Sequence, residues 1–416
     1  LASSSAASDP ESQNMNDRTS DTQWWKEFPL YAPTEEHRLL ARTVEAFVRD
    51  EVEPQAQAFN REERFNRALF QRAGELGLLG LTVPAEDGGS GLDATAAVIV
   101  HEALSWSDPG FCLAYLAHAV LFVHNFSTNA SVAQKRRVLP KVLSGEWIGG
   151  MCMTEPEAGT DVLGMRSTAE RRGDHYILNG RKMFITNGAL DDSTLGDVFL
   201  VYAKTGGKIS TFLVEKGFPG FSLGQRLHDK LGMRSSMTAE LVFENCIVPA
   251  ENLIGNEGES LHHMMRNLEI ERVALAAMSL GIAMRCLETM VRYANERHAF
   301  GVPLRDHGQI QRYIGDSFAE FRAARSYVYD VARRLDLRSL GNRADADGAK
   351  LFAARVGKDI ADRAIQVLGG YGYMGEYVVE RLWRDAKLIE IGGGTLEAHQ
   401  KNITKDLCRD PEWIRR

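Results

Sequence analysis

At 416 residues, with 44% hydrophobic and 25% charged side chains, the chain is long enough for two or three domains with sizeable cores. A formal charge of −7 leaves no basic footprint for nucleic acid or for an anionic membrane. No uninterrupted apolar stretch approaches the roughly 20 residues that span a bilayer, so membrane insertion is not expected.

Residues 1–28 open with a Ser-, Ala-, Asn- and Asp-rich segment that lacks an apolar period and reads as disordered. It has the Ser/Ala bias of a transit-peptide remnant, but Asp9, Glu11, Asp17 and Asp21 run against the acid-poor rule for such peptides. Over 29–148 the pattern is helical, starting at Thr34 as a cap with Glu35 and Glu36 in the first turn. Apolar residues at Leu39–Val48, Ala68–Leu81 and Ala94–Leu104 mark helices, and Pro84 with Gly88–Gly91 breaks the run. Over 149–258 the period drops to two, with strands expected around Tyr176–Leu178, Val198–Tyr202, Thr211–Val214 and Ala239–Phe243. Gly206-Gly207 and Gly217–Gly220 supply turns between them. Long helices return over 259–416, interrupted near Gly301–Pro303, Leu340–Asn342 and Gly369-Gly370. The order predicts an α+β protein with a small β domain between two helical ones. The five cysteines (Cys112, Cys152, Cys246, Cys286, Cys408) are scattered without metal-type spacing. They read as buried, reduced thiols inside a cell, and no metal is expected.

Two segments of the β zone stand out. Met151-Cys-Met-Thr-Glu-Pro-Glu-Ala-Gly-Thr-Asp161 and Lys182-Met-Phe-Ile-Thr-Asn-Gly188 each place hydroxyls (Thr154, Thr160, Thr186) after apolar residues. Gly159 allows close backbone approach and Phe184 adds an aromatic face. Such a pair suits a flat, hydrogen-bonding heteroaromatic ligand.

Further on, Met264, Leu268, Glu271, Leu275, Met278 and Ile282 are spaced to share one helical face, and a second stripe, Ile270, Val273, Ala277 and Leu280, is wholly apolar. Glu271 therefore points into apolar surroundings. Burial raises a carboxyl pKa toward the working range of a general base. On periodicity alone, a structural ion pair or a glutamate at the edge of the stripe fits equally well.

In their order and spacing these segments resemble the acyl-CoA dehydrogenases, and the resemblance spans roughly residues 30–407. It implies that family's fold: an N-terminal helical bundle, a small central β-barrel or sandwich, and a C-terminal four-helix bundle. It also implies FAD as cofactor, an acyl-CoA substrate, a homotetramer, and electron-transfer flavoprotein as partner. Most members carry the catalytic glutamate in a Tyr-Glu-Gly-Thr motif. Here the segment reads Ile391-Gly-Gly-Gly-Thr395, with Gly393 in the glutamate's place. A smaller branch, which includes isovaleryl-CoA and long-chain dehydrogenases, supplies the base from a Leu-Asp-Leu-Glu-Arg-like motif, matched by Leu268-Glu-Ile-Glu-Arg272.

By resemblance, Glu271 removes the α proton while a hydride leaves the β carbon for the flavin, and the Gly393 N–H and a ribityl hydroxyl hold the thioester oxygen. The cofactor contacts implied are Met151, Met153, Thr154, Gly159, Thr160, Phe184 and Thr186. From the later helices come Arg297 and Phe300 in Arg297–Gly301, Gln366, Gly369 and Gly370 in Gln366–Gly370, and Thr395 and Glu397. Arg297 to Gly301 and Gln366 to Gly370 are implied to serve a neighbouring subunit's FAD. The substrate set is Thr160, Glu269, Ile270, Arg272, Leu275, Gly393 and Gly394. His307-Gly308 departs from the family's Phe-Gln pair, which leaves Gln309 as the substitute to consider.

The substrate expected is a short branched acyl-CoA, isovaleryl-CoA of leucine catabolism, in the mitochondrial matrix, with a bacterial cytoplasm compatible with the folded part. Long-chain dehydrogenases, acyl-CoA oxidases and, from another class, a catalytically silent flavoprotein or assembly factor are the alternatives. Leu76-Gly-Leu-Leu-Gly-Leu81 is either an exposed docking ridge for the electron acceptor or a buried helix end.

Overall fold

The computed structural model describes residues 30–415; the expectations for residues 1–28 fall outside them. The first helix, α1 (Glu35–Phe47), starts as its sequence demands: the Thr34 hydroxyl accepts the His37 N–H at 3.2 Å, satisfying a donor that the helix leaves open. After α2 (Glu53–Arg61) and α3 (Arg67–Glu75) comes α4 (Ala94–Ser107), capped by Asp93 and buried on nearly every side. Next, α5 (Pro109–Leu116) runs through a π segment (Ala117–His124) into α6 (Asn125–Asn129), and α7 (Val132–Leu143) completes this layer.

Pro109–Asn129 and Ser260–Glu296 are both long and apolar enough to cross a membrane. Polar residues such as His118, His124 and Asn125 interrupt the first of them, so no unbroken apolar run announced it. Inside the protein, 89% and 78% of their apolar windows are buried, which is the situation of core helices. Of the two readings of Leu76–Leu81, the buried helix end is the one the fold shows. Leu78, Leu79 and Leu81 are buried, and Tyr115 Oη–H donates to the Leu78 carbonyl at 2.8 Å. Cys408 departs from the cysteine reading by being exposed, while the other four are buried and unpaired.

The sheet runs β6-β7-β3-β2-β4-β5-β8 with β1 added beside β4 in parallel, from β1 (Gly149–Cys152), β2 (Thr168–Arg172), β3 (His175–Thr186), β4 (Val198–Thr205), β5 (Lys208–Glu215), β6 (Phe221–Arg226), β7 (Thr238–Pro249) and β8 (Leu253–Ile254). Gly206 and Gly207, both at positive φ, close the β4–β5 hairpin. Strand β4 is buried on both faces. Phe199, Val201 and Ala203 fill the core of the sheet domain, whereas Val198 and Leu200 pack against Phe122, Phe126 and Val138 of the helical layer. A strand covered twice reads as a continuous apolar run.

The last layer is α8 (Ser260–Glu296), a small hairpin of β9 (His298–Ala299) and β10 (Val302–Pro303), then α9 (Gly308–Arg334), α10 (Arg343–Leu368), α11 (Val378–Ile389) and α12 (Leu396–Arg409). Helix α8 is gripped between α4 and α10 at small residues. A Cβ on Gly281 would lie 2.3 Å from the Glu102 carbonyl oxygen and 2.7 Å from the Trp106 nitrogen, both on α4. One on Gly357 of α10 would lie 3.0 Å from Ser279. Ser105 Oγ donates across the first crossing to the Met278 carbonyl at 2.7 Å. Because the obstacle at Gly281 is backbone, Gly281→Ala is expected to cost about 3 kcal/mol, the upper end for overpacking. Denaturant unfolding reads this, and an unchanged midpoint would mean that the two helices are not held at that distance.

Candidate active site

The two singled-out segments meet at one end of the sheet. The Thr154 carbonyl accepts the Met183 N–H at 2.9 Å, and Asn187 Nδ2 donates to the Gly149 and Ala114 carbonyls at 3.1 and 2.9 Å. The start of β1 is set by His118, whose Nε2–H donates to the Val142 carbonyl at 2.8 Å and whose Nδ1 accepts the Gly149 N–H at 2.9 Å. Burial pushes that imidazole down to about 4, so it is neutral and keeps the tautomer the two bonds need.

Beneath the segments lies an ion pair that pattern reading missed. Lys182 is fully buried and donates to Glu155 Oε1 at 2.8 Å and to the Met153 carbonyl at 3.1 Å. Glu155 also accepts the Arg166 and Ser167 N–H groups at 2.5 and 3.0 Å. Burial alone would raise this carboxyl; the Lys182 ammonium and the N–H donors outweigh it and hold it at about 2. The available signal was the motif itself, Thr-Glu-Pro in one segment and Lys182 leading the other.

A register shift between Lys182 and Ile185 in the β3–β7 ladder turns Phe184 outward. Its φ of 60° is unusual for an aromatic residue, and its ring is 67% exposed. In the same two segments Met151, Met153, Thr154 and Thr186 are half-buried, and Gly159 and Thr160 are exposed. The result is an open aromatic and hydroxyl-bearing rim.

Glu271 sits on α8 and is 7% exposed. Among the described residues its Oε2 has no hydrogen-bond partner. Burial pushes the carboxyl up to about 7, against the pull of the Arg272 and Lys350 charges. The same helical face carries Met264 and Leu268 into a cluster with Met165, Tyr202, Met151 and Met153, so it confronts the end of β1. Gly393, at a φ of 64°, lies directly across. A Cβ there would come within 2.1 Å of Leu275 Cδ1 and 3.4 Å of Glu271 Oε1. Glycine is required twice, for the left-handed backbone and for the space that Leu275 fills.

Behind that turn is a buried polar network, also missed from sequence. Lys350 Nζ and His399 Nε2 both face the Gly394 carbonyl, at 2.7 and 3.0 Å. His399 Nδ1 meets Asp347 at 2.5 Å, and Arg272 reaches Asp347 at 3.0 Å. Arg272 and Gly394 are thus joined through Asp347 and His399. A lysine or aspartate within an Ala-rich helix gives no periodic signal of burial.

Not every expected residue gathers here. Glu269 turns the other way and accepts the Asn342 and Gly341 N–H groups at 3.1 and 3.4 Å, bracing the entry to α10, and Ile270 is packed in the main core. Residues 1 and 2 positions before Glu271 lie on other faces of the helix, so these two side chains do not join Glu271 in this arrangement. The Thr395 hydroxyl caps α12, accepting the Ala398 N–H at 3.2 Å, and Glu397 is exposed in its first turn. Arg297, Gly369 and Gly370 line a separate groove of about 420 Å³ with Tyr371, whose ring lies 5.7 Å from the Arg297 guanidinium. Gln366 is exposed nearby on α10, and Phe300, at the tip of the β9–β10 hairpin, is 98% exposed. Gln309 is exposed in the first turn of α9. Arg297 follows the far end of α8, about 39 Å along the helix from Glu271 at 1.5 Å per residue. Within one chain this group is apart from the Glu271 site.

Comparison with known proteins agrees along the chain. Family models match for the acyl-CoA dehydrogenase N-terminal domain over residues 34–146, the middle domain over 150–246 and the C-terminal domain over 258–408. The mitochondrial isovaleryl-CoA dehydrogenase of Pongo abelii is 41% identical over 386 residues, 91% of this chain and 90% of that one. A chain solved as part of "Electron transferring flavoprotein of Acidaminococcus fermentans" superposes with a TM-score of 0.86 at 35% identity, covering 91% of this chain and 99% of that one. The acyl-CoA dehydrogenase complexed with FAD from Bacillus anthracis gives 0.84 at 32%, covering 92% and 68%. With its sheet between two helical layers and matches to all three domains, this chain belongs to the acyl-CoA dehydrogenase family, flavin-dependent oxidoreductases of acyl-CoA.

Proposed function

We propose that this chain carries out α,β-dehydrogenation of a short branched-chain acyl-CoA, with isovaleryl-CoA as the preferred substrate and Glu271 as the base. One observation carries the reading: a buried carboxylate whose Oε2 lacks a partner faces a glycine backbone at 393. Asp347 and Asp385 also leave one oxygen open, but each holds a partner through the other, whereas among the described residues Glu271 makes no hydrogen bond through either oxygen.

The rim at Thr154, Phe184 and Thr186 fits FAD. An outward-turned, left-handed phenyl ring beside half-buried threonines offers a stacking face and hydroxyl groups to a planar heterocycle. FAD held there would supply the acceptor for the hydride that leaves the β carbon. The protein supplies the rest. Glu271 takes the α proton, and the electron pair of that C–H bond becomes the second bond between Cα and Cβ as the β hydride departs. The Gly393 N–H is the donor for the thioester oxygen on which negative charge develops, and a donor fixed before reaction needs no reorganisation. Met264, Leu268 and Leu275 exclude water from the carboxylate and so keep its proton affinity high.

The branched substrate is supported by the likeness to the isovaleryl-CoA dehydrogenase of Pongo abelii, 41% identical over 91% of this chain. Arg297, Phe300, Gln366, Gly369 and Gly370, remote from their own Glu271, fit a role at a neighbouring subunit's FAD in a homotetramer. We take residues 29–148, 149–258 and 259–416 as the three domains, electron-transfer flavoprotein as the acceptor, and the mitochondrial matrix as the compartment. A steady-state series of acyl-CoAs, with a dye and with oxygen as acceptors, tests this. The expected result is the highest kcat/KM for isovaleryl-CoA, at least tenfold above long-chain thioesters, with dye far ahead of oxygen. Isovaleryl-CoA among the poorest substrates would overturn the assignment, and efficient turnover with oxygen would point to an oxidase.

A further inference from the structure

Lys350 lies on α10 with its ammonium fully enclosed, an expensive position for a charged group unless it is compensated. Among the described residues its one hydrogen bond, 2.7 Å to the Gly394 carbonyl, is with a neutral group. That carbonyl belongs to the residue next to Gly393, and it takes a second contact from His399 Nε2 at 3.0 Å. Both glycines are at positive φ, which glycine reaches without strain but does not by itself hold, so contacts to the carbonyls of the turn fix its pose. We propose that Lys350 is a positioning residue for the reaction: it clamps the Gly393–Gly394 turn through the Gly394 carbonyl and places a buried cation beside Glu271. This rests on the reading of Glu271 as the base and adds an element that tempers the proton affinity burial gives it and fixes the pose of its facing N–H donor.

The charged groups around Lys350 come from α8, α10, α12 and the end of α11. Glu271 and Arg272 belong to α8, Asp347 to α10 itself, Glu390 follows α11, and His399 sits on α12. Arg272 is already committed to Asp347, and Asp347 to His399, whereas Lys350 makes no direct ion pair among the described residues. Lys350 is therefore the cation of this set without a carboxylate in contact, and its field falls on Glu271. Tyr202 approaches Glu271 from the sheet side, with its hydroxyl accepting from Asn125 Nδ2 at 3.0 Å. Burial and the Arg272 charge lower the Lys350 ammonium to about 8 while Glu271 supports it, so it is charged where Glu271 titrates.

The test is anaerobic reduction of the holoenzyme's flavin by isovaleryl-CoA, followed as bleaching across pH 5.5–9, in the parent, Lys350→Met and Lys350→Gln. Removing the cation is expected to move the rising limb of the bleaching rate to higher pH by about half a unit or more. Lys350→Met, which also loses the donor, is expected to slow the plateau rate at least tenfold. FAD content and melting temperature report folding separately, and a purely structural lysine would change these while leaving the limb in place. If either uncharged variant retains its flavin and its limb coincides with the parent's, the proposal is overturned. Loss of bound flavin from both variants with their secondary structure intact would also overturn it, since Lys350 would then support cofactor binding. A parent enzyme that does not bleach with any acyl-CoA would instead remove the underlying reading of Glu271.

Discussion

Glu271→Gln is expected to retain its yellow cofactor yet lose flavin bleaching by acyl-CoA by about 10³-fold or more, in the upper range for a lost general base. Stability should move in the opposite direction. The carboxyl is held at about 7 against an ordinary 4.5, chiefly by burial, so ionising it in the folded protein costs about 3 kcal/mol. The sign follows from the raised value: the favourable contribution is complete below about pH 4.5 and is lost as pH rises through 7. Glu271→Gln, which cannot ionise, should therefore melt with the parent near pH 5 and above it at pH 8. In the parent, bleaching should rise with pH around 7 as the base becomes charged. Equal melting temperatures at pH 8 would show that this carboxylate is hydrated and not buried.

Lys182→Met carries the second large effect. Lys182 and Glu155 are buried together, and removing one partner leaves the other charge uncompensated, at a cost of about 3–5 kcal/mol. Glu155 would keep the Arg166 and Ser167 N–H donors, while the Met153 carbonyl would lose its ammonium contact. Because that carbonyl precedes Thr154, the loss should also loosen the cofactor rim, read as faster flavin release on dilution. The parent's own acid sensitivity has the same origin. Burial raises Glu155 but Lys182 and the N–H donors hold it at about 2, so its stabilisation is in place above about pH 4.5 and disappears as pH falls through 2. Lys182→Met melting within a degree or two of the parent would contradict the role assigned to the pair.

Much of this architecture was legible because periodicity and turn chemistry are local. Thr34 caps where it should, Gly206-Gly207 closes a hairpin, and the Met264–Ile282 stripe reports a helix face. Glu271 could be found for the same reason: an acid on an apolar stripe breaks a pattern. What escaped depends on partners distant in sequence. Lys350, Asp347 and His399 form their network only when α10 and α12 dock, and no spacing within either helix announces it. Glu269 faces away from Glu271 because a motif names consecutive residues, whereas a helix sends them to different faces. The Leu76–Leu81 leucines were open to two readings because exposure is a property of the folded surface, and here Tyr115 and the helical layer cover them.

Whether an acyl thioester is threaded between one carboxylate and one glycine can be observed directly in a crystal structure of the holoenzyme with an unreactive isovaleryl-CoA analogue. The expected arrangement has the Glu271 carboxylate within about 3.5 Å of the α carbon, near-attack spacing, and the Gly393 N–H on the thioester oxygen. An analogue bound with its α carbon beyond reach of Glu271, or with its carbonyl held elsewhere than at Gly393, would contradict it.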